Sequence, residues 1–210
     1  MLSKVSKVWV TPDAEGLLTQ MARVSNVNAP KGETSAKLIK YLIKHQHWSP
    51  FEMVNLCVAI ETPRDIARQI LRHRSFSFQE FSQRYAEATE FVGRECRMQD
   101  TSNRQNSLVT QDVNTISNWS ILQSITIDTA AASYRKAIEM GIAKEVARTL
   151  LPEGMTMSKM YMNGTLRSWL HYCSIRTGVE TQKEHRDVAV AIKAILTEQF
   201  PNVSEALNDI

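Results

Sequence analysis

The sequence predicts an α/β fold, on three observations. Segments whose apolar residues recur at helical spacing alternate with short runs that read as strands. A periodic stretch from about Ser120 to Met140, closed by Gly141, reads as one long helix. The 210 residues, 43% hydrophobic and 22% charged, can bury a sizeable core, and no repeat or linker divides them. The expectation is therefore one domain spanning residues 1–210, with the order of strands left open.

Taken in order, Val5, Val8 and Val10 open a short strand closed by Thr11-Pro12-Asp13. Leu17, Leu18, Met21 and Val24 then recur at helical spacing between Ala14 and Ser25, and Asn26 to Glu33, with Pro30 and Gly32, reads as a loop. Thr34 or Ser35 can cap a helix running to about Lys44, with Leu38, Ile39, Leu42 and Ile43 as its buried stripe. Phe51 to Glu61 reads as a strand, uncharged from Met53 to Ile60 and so buried on both faces. Pro63 sits where a first helical turn tolerates it, before a helix through Arg72. Arg64, Arg68 and Arg72 share a face of that helix, and stacked cations cost stability unless anions answer them. Gln69 lies on the same helix, one turn before its end.

Phe91 to Asn118 is polar and weakly periodic, and two readings stand: a mobile lid, or a disordered loop without chemistry. Beyond the long helix, Ile142 to Leu151 is a short one, and Met155, Met157, Met160 and Met162 flank a strand as gap-filling core. Thr165 is an N-cap for a helix to Arg176 that places Arg167 and His171 one turn apart. A final helix carries Val188, Ala189, Ile192, Ile195 and Leu196.

Composition bounds the function. A net charge of +3 is small for a polyanion binder. Cys57, Cys96 and Cys173 are far apart and form no CxxC pair, which fits a reducing compartment and neither a disulfide framework nor a zinc site. No apolar run reaches bilayer length and the N-terminus lacks a signal-peptide pattern, so a cytoplasmic protein with no membrane partner is expected. Two histidines at i and i+2, His45 and His47, with Glu52 nearby could suggest a metal, but the spacing of a third ligand matches no common metal motif, and no metal is expected.

The chemistry concentrates in Arg72-His73-Arg74-Ser75-Phe76-Ser77-Phe78-Gln79-Glu80-Phe81-Ser82-Gln83-Arg84-Tyr85. Guanidinium forks suit phosphates, carboxylates and flat heterocycles, and the aromatic residues supply apolar walls against which hydrogen bonds strengthen. The pattern RHR, seven residues, then Ser-x-Arg resembles the signature of the flavin-dependent thymidylate synthases. Further likeness lies in Arg23-Val24-Ser25, in His47-Trp48-Ser49-Pro50-Phe51-Glu52, in Glu145-Val146-Ala147-Arg148 before Leu151-Pro152, in Thr165 to Arg176 and in Glu180 to Asp187.

The resemblance implies reductive methylation of dUMP to dTMP, with FAD as cofactor and methylenetetrahydrofolate and NADPH as co-substrates. It implies a mixed sheet flanked by long helices, in a homotetramer whose sites are shared between subunits. For the substrate it implies Gln69, Arg72, Glu80, Phe81, Ser82, Gln83, Arg84, Arg148 and Arg176, with Arg148 reaching a neighbour's nucleotide. Arg176 is the expected catalytic group, stabilising negative charge on the pyrimidine, since a guanidinium is no base near neutral pH. For flavin it implies Ser25, Ser49, Arg72, His73, Arg74, Glu80, Thr165, Leu166, Arg167 and His171, and for folate His47. The sequence departs from the family pattern with Gln79-Glu80 in place of Asn-Glu, and with Glu180 where a histidine often touches flavin and folate.

Two alternatives stand beside this reading. Ser82 as a nucleophile needs an adjacent base, and its segment supplies none, so substrate binding is favoured. A nucleic-acid module would use Arg64, Arg68, Arg72, Arg74 and Arg84 on phosphates, with salt-steep affinity and no chromophore.

Overall fold

A nine-residue antiparallel ladder forms the centre of the chain. In the computed structural model, which describes residues 2–26 and 36–208, β2 (Asn55–Pro63) runs against β6 (Met157–Thr165) from Asn55 opposite Thr165 to Pro63 opposite Met157. β1 (Lys4–Val10) pairs with the outer edge of β2, and β3 (Ser77–Glu80) with the outer edge of β6, in the order β1-β2-β6-β3.

Every pairing in this sheet is antiparallel, which corrects the expected mixed sheet. The side chains give the reason. On β6, Ser158, Met160, Met162 and Gly164 are buried while Lys159 and Tyr161 face outward, the alternation of a sheet with one solvated face. The valines of β1 do not alternate, because the register shifts between Lys7 and Trp9. Val5 and Val10 pack on the core while Val8 is exposed.

The helices fall close to their expected places. α1 (Ala14–Ala22) stops three residues short of Ser25, and α2 (Ala36–Lys44) buries Ile39, Leu42 and Ile43; its expected caps, Thr34 and Ser35, and most of the preceding loop lie outside the described residues. The start of the expected strand at Phe51 is instead a 3-10 turn, Ser49–Glu52, which Pro50 favours by fixing a helical φ. Pro63 ends β2, and α3 (Arg64–Ile70) follows at once, the Arg64 N–H donating to the Thr156 carbonyl.

Residues 91–118 depart most from expectation. They form a hairpin, β4 (Arg97–Gln99) with β5 (Ser107–Val109), and Asp112 then caps α4 (Val113–Glu139) by accepting the Thr115 N–H. The helix thus starts seven residues before its first expected position. Ion pairs tie the segment down: Arg94 to Asp65, and Arg97 to Glu184. Gly141 ends α4 in the left-handed region, φ 79°, as its place in the sequence implies.

α5 (Lys144–Ala147) and the turn Arg148–Leu150 follow, then β6, α6 (Leu166–Arg176), α7 (Lys183–Gln199) and a further α8 (Pro201–Asn208). Thr165 caps α6 as expected, its hydroxyl accepting the Ser168 N–H. α6 packs on α7 and β6, α3 on α7, and α8 on α2. The core between them holds Phe51, Leu56, Ile60, Met160, Met162, Trp169 and Tyr172, and the Trp169 indole donates to the Leu56 carbonyl at 2.9 Å. No described helix is long and apolar enough to cross a membrane.

Gly164 lets the motif segment close onto β6, because a methyl built there would overlap the Phe76 ring. Gly164→Ala is expected to cost about 1–3 kcal/mol by overpacking, read as a lowered denaturant midpoint with an unchanged m-value.

Candidate active site

The segment Arg72–Arg84 leaves α3, turns at His73-Arg74-Ser75 and enters the sheet as β3, so its side chains are set by β6 on one side and by the ends of α3 and α6 on the other. The decisive contact is between Arg176 and His73: the guanidinium Nε donates to the imidazole Nε2 at 2.9 Å across 103 positions of sequence. Beside it, the Ser168 hydroxyl donates to the Ser75 carbonyl. The arginine-bearing turn 72–74 and the helix carrying Arg167 and Arg176 are therefore one surface.

Accepting that bond requires a neutral His73. Burial, and then the charges of Arg176 and His171, push its imidazole down to about 4. His185, fully buried on α7, is pushed down to about 3 by burial and by Arg176 and His73. Its ring lies between Tyr172, whose hydroxyl is 3.0 Å from Nε2, and Gln69, whose Oε1 is 3.3 Å from Nδ1.

The cations divide into two groups. Arg64 and Arg68 are answered by Glu80 and Glu153, and Arg84 by Glu145 at 3.3 Å. Ser158 also donates to Glu80, so that carboxylate is held on three sides. This removes three members of the arginine cluster that a nucleic-acid stripe would use. Arg72, Arg74, Arg148 and Arg176, by contrast, have no carboxylate partner among the described residues. Among the described residues the Arg148 side chain donates to the Glu145 carbonyl, so within one chain Arg84 and Arg148 meet the same residue.

A cavity of about 820 Å³ opens beside this surface, lined by Trp48, Glu52, Ser75, Arg167, Ser168 and His171 and extending along α7 toward α8. Glu52 organises its rim, accepting from Arg167 at 2.7 Å and from the Thr165 hydroxyl at 2.9 Å. Ser49 stands exposed at the start of the 3-10 turn, and Ser25 is exposed on the turn after α1, the helix that packs against it. Leu166 is fully buried and its N–H is taken by the Val54 carbonyl, which leaves it to the core. His47 is exposed beside the rings of Tyr41 and His45, and Glu180 lies exposed between α6 and α7.

Phe81 is half-buried, its N–H bonded to the Lys159 carbonyl. The Ser82 hydroxyl accepts the Arg84 N–H, and no described base touches it. Gln83 is buried with its Nε2 donor unsatisfied, a group that a ligand acceptor can complete.

A family model described as thymidylate synthase complementing protein matches residues 7–202. The chain belongs to that family. It is 47% identical over 193 residues to a flavin-dependent thymidylate synthase of Synechocystis sp., covering 92% of this chain and 89% of the relative. It is 46% identical over 197 residues, 93% and 91% of the two chains, to a probable flavin-dependent thymidylate synthase of Paramecium bursaria Chlorella virus 1. In fold it resembles the UMP/dUMP methylase PolB from Streptomyces cacaoi bound with 5-Br dUMP, with a TM-score of 0.82, 26% identity, and 99% and 95% of the two chains covered.

Within this member of the thymidylate synthase complementing family, Tyr172 and His185 are the site neighbours that the sequence reading left without a role. A signal for His185 was present: it precedes Val188, Ala189 and Ile192 on the buried stripe of α7, where an imidazole must be desolvated.

The low pKa of His73 has a consequence for stability. Its folded value lies below its unfolded one, so between about 6.5 and 4 the unfolded chain binds the extra proton and stability falls as pH falls. The unfolding midpoint of the wild type should drop faster over that window than that of His73→Asn. Parallel midpoint-versus-pH curves for the two proteins would refute a buried, neutral His73.

Proposed function

We propose that this chain is a flavin-dependent thymidylate synthase that converts dUMP to dTMP. The single observation that carries this reading is the His73–Arg176 contact, which joins two arginine-bearing segments into a surface where Arg72, Arg74 and Arg176 have no carboxylate partner among the described residues. Such a surface is incomplete without an anion, and dUMP and FAD both bring phosphates.

Arg148 and Arg84 hold the nucleotide phosphate in this reading, with Ser82 and the Gln83 amide on the sugar and base and Glu80 fixed beside them by Arg64, Arg68 and Ser158. Arg176 faces the pyrimidine and stabilises the negative charge that develops on the ring. Because its Nε–H is spent on His73, its remaining N–H groups are aimed by that bond, and neutral His73 adds no opposing charge. Gln69 and Arg72 complete the nucleotide pocket.

The residues fit a flavin dinucleotide: cations for a pyrophosphate at Arg72, Arg74 and Arg167, and the Trp48, Ser168 and His171 walls of a cavity of about 820 Å³. Ser25, Ser49 and Thr165 supply hydroxyls around it. These residues would hold FAD, which, once reduced by NADPH, would supply the hydride that joins the methylene carbon of methylenetetrahydrofolate in the new methyl group. His47, beside Tyr41 and His45, is the proposed folate contact.

We further propose that the whole chain works as one domain of a cytoplasmic homotetramer, with Arg148 reaching a neighbour's nucleotide. The support is α4, which buries only Gln123 and Tyr134 yet exposes Ile121, Leu122 and Ile125.

The purified protein should be yellow, sediment at four times the chain mass, and form dTMP only with dUMP, methylenetetrahydrofolate and NADPH together. Arg74→Ala and Arg167→Ala should lose flavin on gel filtration while staying folded. A colourless protein that FAD leaves colourless, binding oligonucleotides with steep salt dependence, would support the nucleic-acid reading instead.

Arg176 and Ser82 separate by kinetics. Ser82→Ala should raise the dUMP concentration needed by ~10- to 100-fold, for a hydrogen bond worth about 1.5–3 kcal/mol, and keep turnover at saturation. Arg176→Lys should depress single-turnover dTMP formation at saturating dUMP, because Lys lacks the planar fork. A Ser82→Ala enzyme that binds dUMP and FAD normally yet is dead would restore Ser82 as nucleophile.

A further inference from the structure

Behind the substrate surface runs a chain of hydrogen bonds through α3, α6 and α7 whose direction is fixed at one end. Glu184 is buried at 4% exposure and remains ionised: burial opposes its charge, but Arg97 and Gln182 donate to it and hold its pKa below the usual carboxylate range. A carboxylate only accepts, so the Gln182 amide must turn its NH2 toward Glu184, at 3.0 Å. The Gln182 Oε1 then faces Gln69, whose NH2 donates to it at 2.7 Å. That leaves the Gln69 Oε1 turned toward His185 Nδ1, which must carry the proton. A neutral ring protonated at Nδ1 accepts at Nε2, and takes the Tyr172 hydroxyl.

Each amide flip and the imidazole tautomer thus follow from one anchored charge. A second proton on His185 would reverse the order, and two conditions oppose it. The ring is fully buried, and the positive charge of Arg176 disfavours another proton there, with neutral His73 at a centroid distance of 6.2 Å.

The consequence falls on Gln69. Its carbonyl is turned toward His185 and one N–H toward Gln182, so the amide is held in one orientation and its second N–H is the donor it keeps for a ligand. We propose that His185 is a positioning residue that sets base specificity: by keeping the Gln69 carbonyl turned toward its own ring and the NH2 free to donate, it makes the site accept a pyrimidine that presents a carbonyl acceptor and reject one that presents an amine. Uracil and cytosine differ in that way at the 4-position. This inference rests on the reading of the site as a dUMP site with Gln69 at the base. A site built to donate to a ligand oxygen is left with an unpaired donor facing an amine, which is why such sites discriminate far better than apolar ones.

The test uses the full-length flavin-loaded protein and titrates dUMP and dCMP by calorimetry. Wild type should bind dUMP and discriminate strongly against dCMP. His185→Leu frees Gln69 to turn its carbonyl toward the ligand, so the dUMP/dCMP affinity ratio should fall by about tenfold. His185→Gln, which keeps a donor toward Gln69 and an acceptor toward Tyr172, should restore the ratio. Gln182 is exposed, so Gln182→Leu removes the anchor upstream without a buried change, and it should lower the ratio as His185→Leu does. Nitrogen-15 NMR of the histidine rings should find His185 neutral and protonated at Nδ1 from pH 5 to 8. A structural spacer would lose stability in these variants but leave the ratio alone. An unchanged ratio in folded Gln182→Leu, or an Nε2-protonated His185, would overturn the proposal. Wild type that binds FAD but neither nucleotide would overturn the functional reading itself, and this one with it.

Discussion

The pairing of a four-residue strand with β6 is the constraint on which the rest of the site depends. Ser77 to Glu80 lies opposite Asn163 to Met160, and this short ladder turns a loop of arginines into a fixed edge of the sheet. It presents Glu80 to Ser158 on the neighbouring strand and to Arg64 and Arg68 on α3, and it leaves the turn before it, His73 to Ser75, against α6. Phe76 seals the junction by meeting Trp169 edge-to-face, ring centroids 4.5 Å apart, and closing over Gly164. Backbone pairing thus supplies the geometry, and side-chain charge is laid over it.

That charge is sorted by function. Arginines that build the scaffold are neutralised within it: Arg64 and Arg68 on Glu80 and Glu153, Arg94 on Asp65, Arg97 on Glu184. Those left without carboxylates gather where a ligand can reach them. The buried pairs hold partners in place more than they add stability, since desolvation offsets much of their attraction. The unpaired ones favour anion binding at a cost in mutual repulsion that a bound phosphate relieves. The local field also explains why two histidines remain neutral here: a proton on either would join an excess of positive charge already desolvated.

Much of this was legible in the sequence. The strand and helix alternation, the stop at Gly141, the cap at Thr165 and the arginine motif are local signals, carried by residues within one or two turns of each other. What was illegible depends on distant partners. Polar residues 91–118 read as loose because their order comes from Arg94 and Arg97 meeting Asp65 and Glu184, contacts that span from 29 to 87 positions. The mixed sheet was what the family resemblance implied, and the sequence held nothing to correct it, because strand direction is set by pairing and not by composition. The bulge near Val8 shows the same limit on a smaller scale: three valines gave the strand, but only the partner β2 shows which of them faces out. His185 was left without a role because its two partners, Gln69 and Tyr172, come from other helices.

The central ladder also governs when this protein can become itself during synthesis. Asn55 pairs with Thr165, so β2 waits on the ribosome for a partner made about a hundred residues later, holding only its edge neighbour β1 in the meantime. Until β6 emerges, β3 has no strand to join and the arginine turn has no α6 to face. The half-made chain therefore carries an apolar strand with one open edge and a run of unanswered cations, the kind of surface that chaperones shield and that aggregation exploits. Ligand capture must follow translation of α6, because Arg176, the partner of His73, is its last residue.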